Sequence, residues 1–477
     1  MSDPIRFGTD GIRGIAGEYP LAPATVLAIG RAVGGWLRSR TPRPTVLIGR
    51  DTRPSGPHIA HALTAGLTAE GVTVDDIGVI TTPGVAYLTR AFGYELGIVI
   101  SASHNPAEQN GIKLIGPDGF KLSDADEADI EATIAATLDG AHLPAASFAS
   151  TRRADQLRER YLNHLLAGYA PDALRGLTVV LDCANGAAYA LGPAAFARLG
   201  AAVTALGASP TGDNINVRSG SEYVRRHRAD LLAAIQAGSA DLGIAFDGDA
   251  DRVVFLTPAG TLIDGDHTLA LLAGHLHRQG RLAGATVVAT TMSNSSLEHY
   301  LRQQGIRLER TRVGDRYVLA RMREHGYTLG GEQAGHVILL DGEHTTGDGL
   351  HIGLLVASLV AQEKEVLDRI AAEAPRQSQV IASAHLSHHV PLEQIAGLQT
   401  LIAETLLTFD GRGRVDVRYS GTEPNLLRVM VEGGVQTAQA EVIAHALKIC
   451  RLVAEASATP QPRIDLVDCA TGDKIGV

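Results

Sequence analysis

At 477 residues the chain is too long for a single hydrophobic core, and its length points to about three domains. Its 45% hydrophobic and 20% charged residues are an ordinary globular composition, and a formal charge of −10, from 52 acidic and 42 basic residues, argues against broad nucleic-acid binding. No run of about eighteen apolar residues marks a membrane span, Met1 to Arg6 lacks the apolar core of a signal peptide, and Cys183, Cys450 and Cys469 show no metal spacing, so buried thiols in a reducing cytoplasm are expected.

In chain order, Phe7-Gly8-Thr9-Asp10-Gly11-Ile12-Arg13-Gly14 comes first, three glycines and one cation in eight residues. It is either a surface turn or a loop whose backbone and Arg13 approach an anion. Helical periodicity runs from Ala24 to Arg40, with the lone Trp36 on its packed face and Pro23 suiting a helix start. Thr45 to Gly49 is a predicted strand, followed by the loop Arg50 to Gly56, a helix to Glu70 that stops at Gly71, and a strand from about Val72 to Ile80. This alternation predicts a parallel doubly wound sheet. Gly97-Ile98-Val99-Ile100 reads as a buried parallel strand that breaks into Ser101-Ala102-Ser103-His104-Asn105-Pro106. Ligands of open α/β sheets bind beyond the carboxyl ends of strands, so the break is a natural place for chemistry, and Ser103 is the residue expected to carry phosphate. Asn110-Gly111 favours a tight hairpin turn that would return Lys113 toward the serine loop. Asp118 to Arg160 is polar and alanine-rich, and the first domain boundary is expected there.

A second unit begins near Leu177 with the strand Leu177 to Asp182 and continues through Ala202 to Leu206. Its strand Asp241 to Phe246 discharges into Asp247-Gly248-Asp249-Ala250-Asp251-Arg252. A third unit, Thr257 to Arg369, holds Gly331-Glu332-Gln333-Ala334-Gly335-His336 and a strand to Leu340. The last, about Gln377 to Ala456, has two short alternating strands, Arg414 to Arg418 and Leu426 to Val431, around Ser420-Gly421-Thr422. The tail from Ser457 carries no motif.

Asp247, Asp249 and Asp251 are spaced by two, which on an extended segment puts all three carboxylates on one side. Charges so placed repel unless a cation sits between them. An EF-hand is excluded, because Arg252 stands at the sixth loop position and Pro258 at the twelfth. A few carboxylates plus a phosphate oxygen suit Mg²⁺. Ser103 lacks a Gly-x-Ser-x-Gly elbow, and a neighbouring side chain in extended chain points to the opposite face, which would keep His104 from serving as its base. Arg418, Ser420, Gly421 and Thr422, with Arg428 on the return strand, could hold a phosphate dianion through forked, charge-assisted bonds, or could be a surface hairpin. Glu332, bracketed by glycines, could accept bonds from hydroxyls. His336 is either an acid/base group or a packed histidine at a strand start.

Four of these stretches, the Ser103, Asp247–Arg252 and Glu332 loops and Arg418-Tyr419-Ser420-Gly421-Thr422-Glu423-Pro424, resemble in order the motifs of the α-D-phosphohexomutase family. The resemblance implies a four-domain α/β architecture, three related α/β domains plus a smaller α+β C-terminal domain around a central cleft. Its segments are 1–155 (phosphoserine loop), 156–256 (metal loop), 257–372 (sugar loop), 373–456 (phosphate-binding domain) and the tail 457–477. It implies that Ser103 is a phosphoserine completing the Mg²⁺ site of Asp247, Asp249 and Asp251, one ion per active site, and that Arg13 faces that phosphoserine. Lys113 and His336 become acid/base candidates, with His104 counted in the catalytic set. Arg252 would face the phosphate, and the Arg418 and Arg428 cluster would hold the phosphate that is not reacting.

Gly331-Glu332-Gln333, Met292-Ser293-Asn294 and Val313-Gly314-Asp315-Arg316-Tyr317 resemble the branch that acts on glucosamine phosphates. The glucose and mannose branch usually shows methionine at the position of Gln333. Ala334 departs from the branch's usual serine and removes one possible sugar contact. Ala250, where glycine is frequent, is expected to point harmlessly away from the metal. The implied activity interconverts glucosamine 6-phosphate and glucosamine 1-phosphate through a sugar bisphosphate, which also serves as activator. The implied partner is a small hexosamine phosphate, with no nucleic acid and no membrane. Any self-assembly is expected to be a homodimer, for which no residue pattern argues. The rivals are the same enzyme type on glucose or mannose phosphate, a phosphatase with Asp247 as nucleophile, and a non-catalytic sugar-phosphate binder.

Overall fold

The computed structural model describes residues 4–8, 10–140, 150–409, 413–420, 423, 425–434 and 436–476. The chain forms two compact units, one of residues 1–292 and 306–370, the other of 293–305 and 371–477.

Three sheets lie in the larger unit. The first has the order β1-β5-β4-β2-β3-β6, built from β1 (Ile12–Ile15), β2 (Thr45–Arg50), β3 (Thr73–Val79), β4 (Leu96–Ile100), β5 (Gln109–Ile115) and β6 (Thr151–Arg153). Strands β4, β2, β3 and β6 run parallel, while β5 is antiparallel to both β4 and β1. The sheet is therefore mixed, where the strand–helix alternation predicts a parallel one. The Pro23–Arg38 helix starts at its proline, as expected, and buries Ile29, Ala32, Val33 and Trp36. It crosses the Gly56–Ala69 helix where a Cβ on Gly30 would stand 2.5 Å from the Leu63 carbonyl oxygen, so only glycine allows the approach.

The second sheet has the order β11-β10-β9-β7-β8, from β7 (Thr178–Asp182), β8 (Ala202–Leu206), β9 (Leu242–Phe246), β10 (Val253–Leu256) and β11 (Leu262–Ile263). The third is β13-β12-β14-β15, from β12 (Thr286–Thr290), β13 (Arg307–Thr311), β14 (Leu329–Gly331) and β15 (Val337–Leu339). One device recurs in all three sheets: a fully buried strand of the parallel set (β4, β9 or β14) turns back into an antiparallel neighbour (β5, β10 or β15). The three turns carry Ser103, Asp247–Asp251 and Glu332.

The smaller unit holds the fourth sheet, β17-β18-β16-β19-β20, antiparallel throughout: β16 (Gln379–His385), β17 (Arg414–Tyr419), β18 (Leu426–Glu432), β19 (Arg463–Asp468) and β20 (Lys474–Ile475). The Gln439–Ala456 helix buries Val442, Ala446, Ile449, Cys450 and Val453 in this unit's core. The tail, unassigned from sequence, supplies β19 and β20, and β19 pairs with β16 over six positions. In the same unit Ser293-Asn294 leads into the Ser295–Gln303 helix, whose Ser295 backbone N–H and hydroxyl both donate to buried Glu432. Among the described residues no helix is long and apolar enough to cross a membrane.

Candidate active site

Ser103 lies three residues beyond the end of β4, and its own backbone takes a positive φ of 52°, in the left-handed region. Its N–H donates to the Ser101 hydroxyl at 2.9 Å, and Ser101 Oγ donates to Asp51 at 2.6 Å. Beneath the loop lies Arg53, 1% exposed, whose Nε meets Asp51 Oδ2 at 2.9 Å. Its two terminal nitrogens donate to the carbonyls of Ser103 (2.9 Å), Asn105 (2.8 Å), Gln109 (2.9 Å) and Pro106. Asn216 adds bonds to the Ser103 and Asn105 carbonyls. The loop is thus held by its backbone, leaving the Ser103 hydroxyl free to point elsewhere. That hydroxyl donates to Asp247 Oδ2 at 2.5 Å. His104 Nδ1 is 3.3 Å from Ser103 Oγ. The expectation that His104 turns away fails because the backbone at Ser103 is not extended. Burial first, then the Arg252 charge, holds the His104 imidazole down at about 4.

The acidic loop is not extended either. Ala250 sits at φ 56°, buried, so the loop curls and brings the three carboxylates together. Their donor atoms lie within 4.8 Å of one another, and all three residues are buried. The alanine is the strained residue of the turn and not merely a bystander, since this conformation favours glycine. Thr82 Oγ1 and Lys113 Nζ both donate to Asp249 Oδ2, at 2.5 and 2.9 Å, and the Arg252 N–H donates to Asp247 Oδ1 at 3.1 Å. Asp249 Oδ1 and Asp251 Oδ1 are buried without a hydrogen-bond partner. Buried carboxylate oxygens normally have one. Burial first, and next the charges of Asp251 and Asp249, push Asp247 well above the usual carboxylate range. An all-oxygen set with unfilled lone pairs and mutual repulsion fits a hard divalent cation.

Lys113 reaches this cluster from inside β5, where Asn110-Gly111 is part of the strand and not a turn; the chain reverses over residues 101–108. Its Nζ lies 2.8 Å from Asp10 and 2.9 Å from Asp249. Burial opposes its charge, but Asp10, Asp249 and Asp251 outweigh it and hold the ammonium well above its ordinary value. Lys121 bridges Asp10 and Asp315 at 2.7 and 2.6 Å. His336 stands 3.7 Å from Asp251 and 3.8 Å from Asp315. Burial lowers its basicity, yet Asp251 and Asp315 raise it to about 9. A side chain at Gly347 would come within 2.6 Å of this ring, so the glycine seats it.

These groups border a cavity of about 500 Å³ whose walls include Arg13, His104, Asp251, Arg252, Glu332 and His336. Arg13 lies on β1 and pairs with Asp10. Arg252 pairs with Glu222 at 3.3 Å. Glu332 accepts the Gly314 N–H at 3.0 Å, where Gly314 has φ 128°. Gln333 and Ala334 do not line the cavity; Gln333 is buried, with its carbonyl taken by the Gly265 N–H at 3.0 Å. In the smaller unit Arg418 and Arg428 face each other across β17 and β18, part-exposed, with Asp416 3.2 Å from Arg418 and Glu423 3.7 Å from Arg428. Ser420 accepts the Glu423 N–H at 3.2 Å. Gly421 and Thr422 lie outside the described residues.

Sequence reasoning missed Arg53, Asp10, Thr82, Lys121 and Asn216. Asp10 sits in the glycine-rich opening stretch and Arg53 in the loop after β2, so both loops stood out but neither side chain did. Thr82 and Asn216 carry no local signal.

Four family models match the chain in order: phosphoglucomutase/phosphomannomutase alpha/beta/alpha domain I over residues 4–140, domain II over 159–260, domain III over 264–378 and the C-terminal domain over 360–449. The chain belongs to this family, the α-D-phosphohexomutases, and is an isomerase of the mutase kind. Within it the likeness runs to bacterial phosphoglucosamine mutases. That of Symbiobacterium thermophilum is 46% identical over 432 residues, 90% of this chain and 95% of that protein. That of Rhodospirillum rubrum is 43% identical over 463 residues, 96% of this chain and 100% of its own. Among solved structures, a phosphoglucomutase/phosphomannomutase family protein of Burkholderia thailandensis superposes with a TM-score of 0.78 at 24% identity, covering 96% of this chain and 98% of that one. Aspergillus fumigatus N-acetylphosphoglucosamine mutase, solved in complex with GlcNAc-6P and magnesium, gives 0.61 at 18% identity, covering 95% and 96%. At these identities the two structures speak for the fold.

Proposed function

We propose that the chain interconverts glucosamine 6-phosphate and glucosamine 1-phosphate, with phosphorylated Ser103 as the donor. The observation that carries this reading is the Ser103 hydroxyl at 2.5 Å from Asp247 Oδ2, beside buried carboxylate oxygens with no partner. Asp247, Asp249 and Asp251 would hold one Mg²⁺, which when bound offsets charge on the transferring phosphoryl group. The bond from phosphorus to Ser103 Oγ breaks as a sugar hydroxyl attacks, giving a sugar bisphosphate and a free serine. The bisphosphate then reverses its ends and returns the other phosphate to Ser103. Lys113, kept protonated by its carboxylates, neutralises charge at the serine, and His336 exchanges the proton of the attacking hydroxyl. Arg13, His104 and Arg252 line the cavity that receives the reacting phosphate, and Glu332 takes sugar hydroxyls. Arg418, Ser420 and Arg428, with Gly421 and Thr422, form the site for the second phosphate. The same reading divides the chain near residues 155, 256 and 372. A trace of sugar bisphosphate is its activator, and three free, buried cysteines suit the cytoplasm.

A second reading, glucose or mannose phosphate as substrate, stands on one position of the sequence: Ala334, which does not line the cavity, lacks the serine hydroxyl usual in the glucosamine branch. The test is the mutase rate on glucosamine, glucose and mannose 1-phosphates, with Mg²⁺ and a trace of the matching bisphosphate, for wild type and Ser103→Ala. Preference for the glucosamine substrate, lost by at least about 10⁴-fold in the variant, is expected. Preference for glucose or mannose would move the protein to the sister branch. Activity surviving in Ser103→Ala would overturn the phosphoserine route.

A further inference from the structure

At the far end of β15 from His336 the chain runs through Asp341, Glu343 and His344 into the Gly349–Gln362 helix, whose first turn carries His351. Across from them stands His164, on the Leu157–Leu166 helix, its ring 4.9 Å from that of His344. The His344 and His351 rings stack at 3.8 Å. Asp341 Oδ1 is 3.1 Å from His344 Nδ1, and Asp341 Oδ2 is 3.7 Å from His351 Nε2. Donor atoms of these three residues all fall within 4.8 Å of one another. We infer that Asp341, His344 and His351 form a second metal site, for one divalent transition-metal ion of the zinc type, separate from the Asp247–Asp251 cluster.

The polar atoms left over argue for it. His344 Nε2, both ring nitrogens of His351 and His164 Nε2 are buried with no hydrogen-bond partner, and the His344 side chain is 8% exposed. A buried polar atom without a partner is costly, and here several converge on one point. An Asp341–His344 ion pair would account for His344 Nδ1, but for neither nitrogen of His351. Nitrogens sharing a tetrahedral ion stand about 3.3 Å apart, so small side-chain rotations would close the set. Two imidazoles and a carboxylate suit Zn²⁺ and its neighbours, whereas the all-carboxylate triad suits Mg²⁺. A cavity of about 490 Å³ bordered by His164, His344 and His351 gives an ion a way in, and leaves room for His164 or water as a fourth ligand.

The position suggests a clasp and not a reaction centre. Between Asp341 and His351, Thr345 Oγ1 donates to the Gly119 carbonyl at 2.6 Å, and Asp348 accepts the Tyr161 hydroxyl at 2.7 Å. The Gly349 N–H donates to the Ala250 carbonyl at 2.9 Å, inside the acidic loop. An ion here ties together segments attached to all three sheets of the larger unit.

The test uses full-length protein stripped with chelator, returned to excess Mg²⁺ and titrated with Co²⁺, whose visible absorption reports low-coordinate nitrogen ligation. Thermal unfolding with and without Zn²⁺ is measured in parallel. One equivalent of Co²⁺ with strong visible bands, and a rise in Tm with Zn²⁺, are expected for wild type and for Asp247→Asn. Binding should be at least about tenfold weaker in His351→Gln and in His344→Gln. Two single variants are used so that a folding failure in one leaves the other to decide. No visible bands in wild type, bands unchanged in the histidine variants, or bands lost in Asp247→Asn would each overturn the assignment.

Discussion

Asp247 is the carboxyl most at odds with its surroundings, and its environment has a thermodynamic consequence. Burial and the neighbouring Asp251 and Asp249 raise its affinity for a proton in the folded state. A carboxyl raised on folding supports the fold below its unfolded value, near 4, and that support is lost as pH climbs through the raised folded value. In chelator, at pH above that unfolded value, the Asp247 carboxyl therefore works against the fold. Asp247→Asn should stabilise the chelated protein by roughly 1–2 kcal/mol and flatten the fall in stability as pH rises above about 4. Mg²⁺ should raise the Tm of wild type and leave that of the variant unchanged. Thermal unfolding in EDTA across that range checks this; a variant less stable than wild type at the upper end would contradict it. The identity of these carboxylates was legible from the sequence, because three aspartates after an apolar strand leave few readings. Their convergence was not, since it depends on a left-handed alanine in place of an extended run.

At the scale of elements, each functional turn leaves a buried strand and re-enters its sheet antiparallel, and the serine turn is fastened from below by Arg53. Breaking a buried ion pair from one side leaves a desolvated charge, at a cost of about 3–5 kcal/mol. Arg53→Met strands Asp51 and releases four carbonyls, so a loss of that size is expected, with kcat falling as the loop loosens. Arg53→Lys should recover part of the stability but little of the rate, because a point charge cannot fork to four acceptors. Thermal unfolding and steady-state rates on both variants decide the matter, and a loss below about 1 kcal/mol in Arg53→Met would show that the loop holds itself. The strands β2, β4 and β9 could be read from apolar runs. The reversal at β5 could not, because Asn110-Gly111 is a strong local turn signal that sheet pairing overrode.

Across the whole molecule, the tail has a structural duty that its composition hides. β19 covers an edge of β16 that would otherwise offer unpaired backbone groups. Ending the chain at Ser457 should open residues 371–456 to protease and promote association, while cleavage of the larger unit stays unchanged. Limited proteolysis with light scattering tests it, and a truncated chain as resistant as the full one would refute it. By itself the sequence determined the strand–loop grammar, the chemistry-bearing loops and the family, because these rest on residue type and local order. Which polar groups meet was decided only in three dimensions. Lys113 among Asp10 and Asp249, Arg53 under the serine loop, and His344 against His351 are partnerships between residues distant in sequence or turned by the backbone. Burial, which lends such meetings their energy, is a property of the packed chain and not of any single segment.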